Sequence, residues 1–118
     1  DLFGVDPYPC RSELHGCNLG MVTAYVRAAE ASGIPRSRMV PVYQAFGGGE
    51  WQDDGGGHFV LPTPKQARAL LRRWATLVPH PVFDFVYSWG QQRGDRSLAT
   101  ASPRLRRVFA DHNRGVKP

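Results

Sequence analysis

Met39-Val40-Pro41-Val42-Tyr43-Gln44-Ala45-Phe46, followed by Gly47-Gly48-Gly49, decides the fold of this chain. This stretch reads as a strand from Met39 to Phe46. Pro41 cannot donate to a ladder, so it predicts either a position near the strand start or a local irregularity. Beyond the Gly-rich loop, Thr63-Pro64-Lys65-Gln66 reads as a helix start. Thr63 suits the N-cap, Pro64 the first helical position, and Gln66 closes a capping box. Ala67, Leu70, Leu71, Trp74, Ala75 and Val78 then mark one apolar helix face.

The same order recurs on either side. Upstream, the apolar run Leu2 to Val5 ends at Asp6-Pro7-Tyr8-Pro9, where two prolines stop the ladder. A polar loop leads to a helix from about Leu19 to Ala31, with Val22, Val26 and Ala29 inward, closed by Gly33 and Pro35. Downstream, Val82 to Trp89 reads as a third strand. Ser102-Pro103 then repeats the cap and opens a helix with Leu105, Val108 and Phe109 inward. Residues 114–118 form a polar tail. Strand and helix alternation predicts an α/β fold with a parallel sheet. The expectation is three strand-helix units forming part of a (β/α)8 TIM barrel, with 1–118 a single domain or a fragment, the C-terminal half of the barrel. A complete barrel runs to roughly 250 residues. The sheet edges therefore call for a complementary barrel half or a homo-oligomer. The start at Asp1-Leu2-Phe3 reads as the inside of an element, which predicts a processed chain or an excised piece.

The 118 residues carry 15 Lys and Arg against 10 Asp and Glu, a net charge of +5. Six of the thirteen arginines, Arg68, Arg72, Arg73, Arg104, Arg106 and Arg107, fall in the two later helices opposite the apolar stripe, where a solvated outer face accounts for them. No aromatic-basic interleaving suits single-stranded nucleic acid, so a nucleic-acid partner is not expected. No apolar stretch reaches the roughly 18 residues of a membrane span. Cys10 and Cys17 lie close together in a polar loop. Their spacing suits a local disulfide, which places the protein outside the cytoplasm; two free thiols in a cytosolic loop are the alternative. His15, His58, His80 and His112 are scattered without metal-ligand spacing, and no phosphate-binding loop or serine elbow is present. Neither a metal nor another cofactor is expected.

In parallel α/β folds, function gathers at the carboxyl ends of the strands. Those ends offer Asp6 and Tyr8, then Gln44 and Phe46, then Tyr87, Ser88, Trp89 and Gln91, while the Gly-rich loop adds Glu50, Trp51, Asp53 and Asp54. Aromatic rings pack on the C–H faces of sugars, and carboxylates and amides bind their hydroxyls. The set predicts a carbohydrate ligand, with Asp6 and Glu50 as catalytic candidates and Tyr8, Gln44, Trp51, Tyr87, Trp89 and Gln91 as binders. Glycoside hydrolysis needs two carboxyl groups across one bond. A non-catalytic glycan-binding module is the alternative.

Asp6-Pro7-Tyr8-Pro9, Gln44-Ala45-Phe46-Gly47, Pro62-Thr63-Pro64 and Tyr87-Ser88-Trp89-Gly90, in this order, resemble the later strands of bacterial glycoside-hydrolase-like TIM-barrel proteins. The resemblance implies a secreted protein whose Trp89 ends the last strand as a sugar-stacking floor, with Ser88-Trp89 a candidate non-proline cis peptide. It also marks a departure. Where many such enzymes place a catalytic Glu, this chain has Gln44, an amide that cannot ionise. The expectation that joins these readings is that Asp6, Gln44 and Trp89 meet on one concave surface.

Overall fold

The structure, a computed structural model, describes residues 1–49, 58–92 and 94–118. Its centre is the strand β4 (Met39–Gln44), flanked by β1 (Phe3–Val5) on one side and β6 (Phe85–Tyr87) on the other. Both pairings are parallel, with Val5 beside Pro41 and Val42 beside Phe85. Every residue of β4 is buried. Pro41 sits mid-strand. Its missing N–H leaves the registers on both sides intact.

The helices α1 (Gly20–Ala31), α2 (Pro64–Leu77) and α3 (Pro103–Asn113) all pack on one face of this sheet. Val22 and Val26, then Leu70, Leu71 and Trp74, then Leu105, Val108 and Phe109 join Val5, Met39 and Tyr43 in one apolar cluster. Each large side chain removed from water there contributes roughly 1.5–3 kcal/mol. The two later helices start where the caps predict. Thr63 Oγ1 accepts from the Gln66 N–H while Gln66 Oε1 accepts from the Thr63 N–H, and Ser102 Oγ accepts from the Leu105 N–H. Alternation along the strands sends Gly4, Val40, Val42, Gln44, Phe85 and Tyr87 to the other face.

The expected run of three TIM-barrel units is overturned. The chain forms a small α/β fold whose three-stranded parallel sheet stays open, with β1 and β6 at its edges. Two antiparallel ladders interrupt the strand-helix repeat. One is the hairpin of β2 (Cys10–Arg11) and β3 (Gly16–Cys17); the other pairs β5 (Phe46–Gly47) with β7 (Arg96–Ser97). The strand expected to run to Phe46 leaves the parallel sheet after Gln44, and its end is recruited by the segment beyond the third strand. That third strand is likewise shorter than Val82 to Trp89, because only Val42, Tyr43 and Gln44 of β4 pair with it.

Candidate functional site

Three short connections meet above the carboxyl end of the sheet. The Cys10–Cys17 disulfide closes the first hairpin. The segment returning from the Gly-rich loop lies against it: the Val60 N–H donates to the Cys10 carbonyl at 2.9 Å and the Gly48 N–H to the Phe59 carbonyl at 2.7 Å. Gly47 is required at this crossing, because a Cβ there would lie 2.1 Å from the Leu61 nitrogen.

Gln44 fastens these pieces. Its side chain is fully buried. Oε1 accepts from the Cys10 N–H at 2.8 Å. Nε2 faces the carbonyls of Cys10 at 3.0 Å, Phe46 at 3.2 Å and Val60 at 3.1 Å. Two amide hydrogens are thus shared among three acceptors. The amide expected to bind a sugar hydroxyl is spent on backbone. A carboxylate could accept from Cys10 but could not donate to the carbonyls, which is a physical reason for Gln at this position.

Asp6 follows β1 and is exposed. Tyr8, held between the buried Pro7 and Pro9, is half-buried and lies within electrostatic reach of the Asp6 carboxylate. Burial pushes the Tyr8 phenol up to about 12, with the Asp6 charge and Tyr87 adding to the effect. Tyr8 therefore stays neutral at ordinary pH. Its ring stands edge-on to Phe46 at 4.9 Å and to Phe59 at 5.9 Å, and tilts towards Tyr87 at 6.2 Å. Tyr87 in turn packs edge-on to Phe46 at 5.5 Å and donates its hydroxyl to Gln92 Oε1 at 2.9 Å. The ends of β1 and β6 are thereby joined by one aromatic cluster with Asp6 at its rim.

Trp89 is 66% exposed, an indole free to stack on a ligand. Its backbone is fixed, because the Trp89 carbonyl accepts from Ser97 Oγ at 2.8 Å and from the Ala99 N–H at 2.9 Å. The cis peptide lies between Tyr87 and Ser88, one residue before the expected Ser88-Trp89 bond. Gln91 is exposed but donates to the Asp95 carbonyl at 2.9 Å. Glu50, Trp51, Asp53 and Asp54 lie outside the described residues. The structure therefore brings Asp6, Tyr8 and Tyr87 together, leaves Trp89 as an open platform, and gives Gln44 a different task. Phe46, one of the strand-end residues, and Phe59, which the sequence reading passed over, support the Tyr8 ring. An aromatic just beyond the Gly-rich loop was the available signal for Phe59.

A second polar group lies on the helix face. Asp84 Oδ2 accepts from the Tyr43 hydroxyl at 2.8 Å and sits 2.7 Å from His112 Nε2. Burial, and then Asp84, push the Tyr43 phenol well above its usual range, so it remains a donor. This group ties α3 to the sheet. Among the described residues, no group of three or more His, Cys, Asp or Glu side chains could hold a metal ion. No protein-family model, no curated protein and no solved structure matches this chain.

Proposed function

We propose that the protein recognises a glycan at the carboxyl end of its sheet, with Asp6 as the carboxyl group at the reacting bond of a glycoside-hydrolase-like site. The observation that carries this reading is the Asp6–Tyr8–Tyr87 cluster, with the exposed Trp89 two residues beyond Tyr87 in the chain. An exposed indole and a carboxylate near a neutral phenol suit the C–H faces and hydroxyls of a sugar. The ordered motifs from Asp6-Pro7-Tyr8-Pro9 to Tyr87-Ser88-Trp89 support the same class of ligand. An extracellular setting belongs to this proposal, since the disulfide persists in an oxidising compartment and no helix among the described residues is long and apolar enough to cross a membrane.

The test is a glycan array followed by product analysis on each retained glycan. Asp6→Asn is expected to keep binding and to lower turnover at least ~100-fold, the lower end of general acid-base effects. Unchanged turnover would reject the role. Binding without cleavage is the second reading. One observation favours it: the residue at the β4 end is the amide Gln44, turned inward onto backbone, and supplies no second carboxyl group. Retention without product from the unmodified protein would select it.

A further inference from the structure

The helices α2 and α3 begin with the same pattern. Thr63-Pro64-Lys65 with Arg68, and Ser102-Pro103-Arg104 with Arg107, place a hydroxyl cap, a proline, a first-turn cation and an Arg three residues later. The two starts lie side by side and line one cleft of about 510 Å³, walled by Thr63, Pro64, Lys65, Arg68, Arg104 and Arg107. Lys65, Arg68, Arg104 and Arg107 are all exposed, and among the described residues none of them forms an ion pair. Neither helix has an acidic residue in its first turn.

This arrangement opposes the usual preference. A helix N-terminus carries a partial positive charge and favours Asp or Glu nearby, so cations there cost stability. The cost falls twice, at matching positions, on two neighbouring helices. A solvated outer face does not call for such pairing, because solubility is served equally well by charges spread along the helices. Local rules broken in concert without a structural gain mark functional sites. Four cations with no ion pair among the described residues, set around one open surface depression, make a positive patch for an anion.

We infer that this cleft binds an anionic sugar polymer, through its carboxylate or sulfate groups. The cleft wall holds no aromatic ring, so it offers none of the base stacking by which single-stranded nucleic acid is held. Arginine forks and a lysine point charge suit oxyanions. The inference rests on the glycan reading for its class of ligand, while the cleft itself is independent of Asp6 and Trp89.

The experiment measures binding of the whole chain to oligogalacturonate, dextran sulfate, neutral dextran and duplex DNA across a salt series. Cleft variant K65Q/R68Q/R104Q/R107Q is compared with R27Q/R38Q/R72Q/R106Q, which removes the same charge elsewhere, and with R104Q/R107Q as a milder variant. The expected result is a loss of at least tenfold for oligogalacturonate or dextran sulfate in the cleft variant. The control is expected to stay within twofold of the unmodified protein. Its salt dependence should also remain steeper than that of the cleft variant. The urea midpoint of the cleft variant should hold or rise, because first-turn repulsion is relieved. If it fails to fold, the loss read from R104Q/R107Q decides. Equal losses in cleft and control variants, no binding of either acidic polymer, or DNA bound as tightly as both would overturn the inference. Neutral-glycan binding that is lost in W89A but retained in the cleft variant reports on the other surface alone, so the two readings fail separately.

Discussion

Replacing Gln44 probes the joint on which the candidate site is built. In Gln44→Leu the Cys10 N–H loses the acceptor that it has at 2.8 Å, inside a region where the side chain is fully buried. An orphaned buried donor costs about 1–3 kcal/mol. The carbonyls lose less, because the Cys10 carbonyl keeps the Val60 N–H at 2.9 Å. The total expected loss is about 2–4 kcal/mol, a large part of the stability of a small protein. With a urea m-value of about 1–3 kcal/mol per molar, the unfolding midpoint should fall by roughly 0.7–4 M. Gln44→Glu sharpens the test. A buried acid facing three carbonyls is favoured in its protonated form, so its folded pKa rises above the ordinary value of about 4.3. Stability linked to a raised pKa is present below the unfolded value and is lost as pH rises through the folded one. Relative to the unmodified protein, Gln44→Glu should therefore unfold more easily at neutral pH than near pH 4. Urea melts followed by far-ultraviolet circular dichroism at both pH values read this directly. A Gln44→Leu midpoint within ~0.3 M of the unmodified protein would refute the fastening role, as would a pH-independent Gln44→Glu deficit.

Four further outcomes are expected. Reducing the Cys10–Cys17 bridge, which spans seven positions of sequence, should lower stability by about 2–3 kcal/mol on the chain-entropy account, read as a shift in thermal midpoint. Gly47→Ala forces a Cβ into backbone at 2.1 Å and should cost at least the ~1–3 kcal/mol typical of overpacking, seen in the same melts. In an alkaline absorbance titration, Tyr8 should ionise at about 12, a step that Tyr8→Phe removes. Its raised value means that the associated stability is intact below about pH 10 and fades as pH climbs towards 12. Trp89→Ala should leave the melting midpoint nearly unchanged, since the indole is 66% exposed, while weakening glycan retention on an array.

The parts of the fold that could be read from sequence are those with local causes. Thr63-Pro64-Lys65-Gln66 and Ser102-Pro103 announce helix starts because the capping partners lie within one turn. The central strand is legible because the apolar run of β4 has no other use. The ladder of Phe46–Gly47 with Arg96–Ser97 was hidden, because a two-residue pairing across such a distance in sequence leaves no periodic trace. The same holds for Gln44. Strand parity puts it on the Tyr87 face, but parity cannot show that the disulfide hairpin and the Val60 segment fold over it. Asp6 and Tyr8 were easier to place, because Pro7 and Pro9 end the strand at a defined residue. The matched cations of α2 and α3 read singly as solvated charges; only their adjacency across a cleft changes their meaning.

The unequal settings of two tryptophans equip the protein with its own optical reporters. Trp74 has no solvent exposure and its indole N–H meets no acceptor among the described residues, whereas Trp89 stands open on the candidate sugar surface. In a Trp51→Phe background, the first emits from a dry apolar core and the second from water. Iodide added to the solution should quench Trp89 and spare Trp74 while the fold persists. A saccharide seated on Trp89 should shield it from the quencher, so occupancy and unfolding can be followed in one cuvette without attaching a dye.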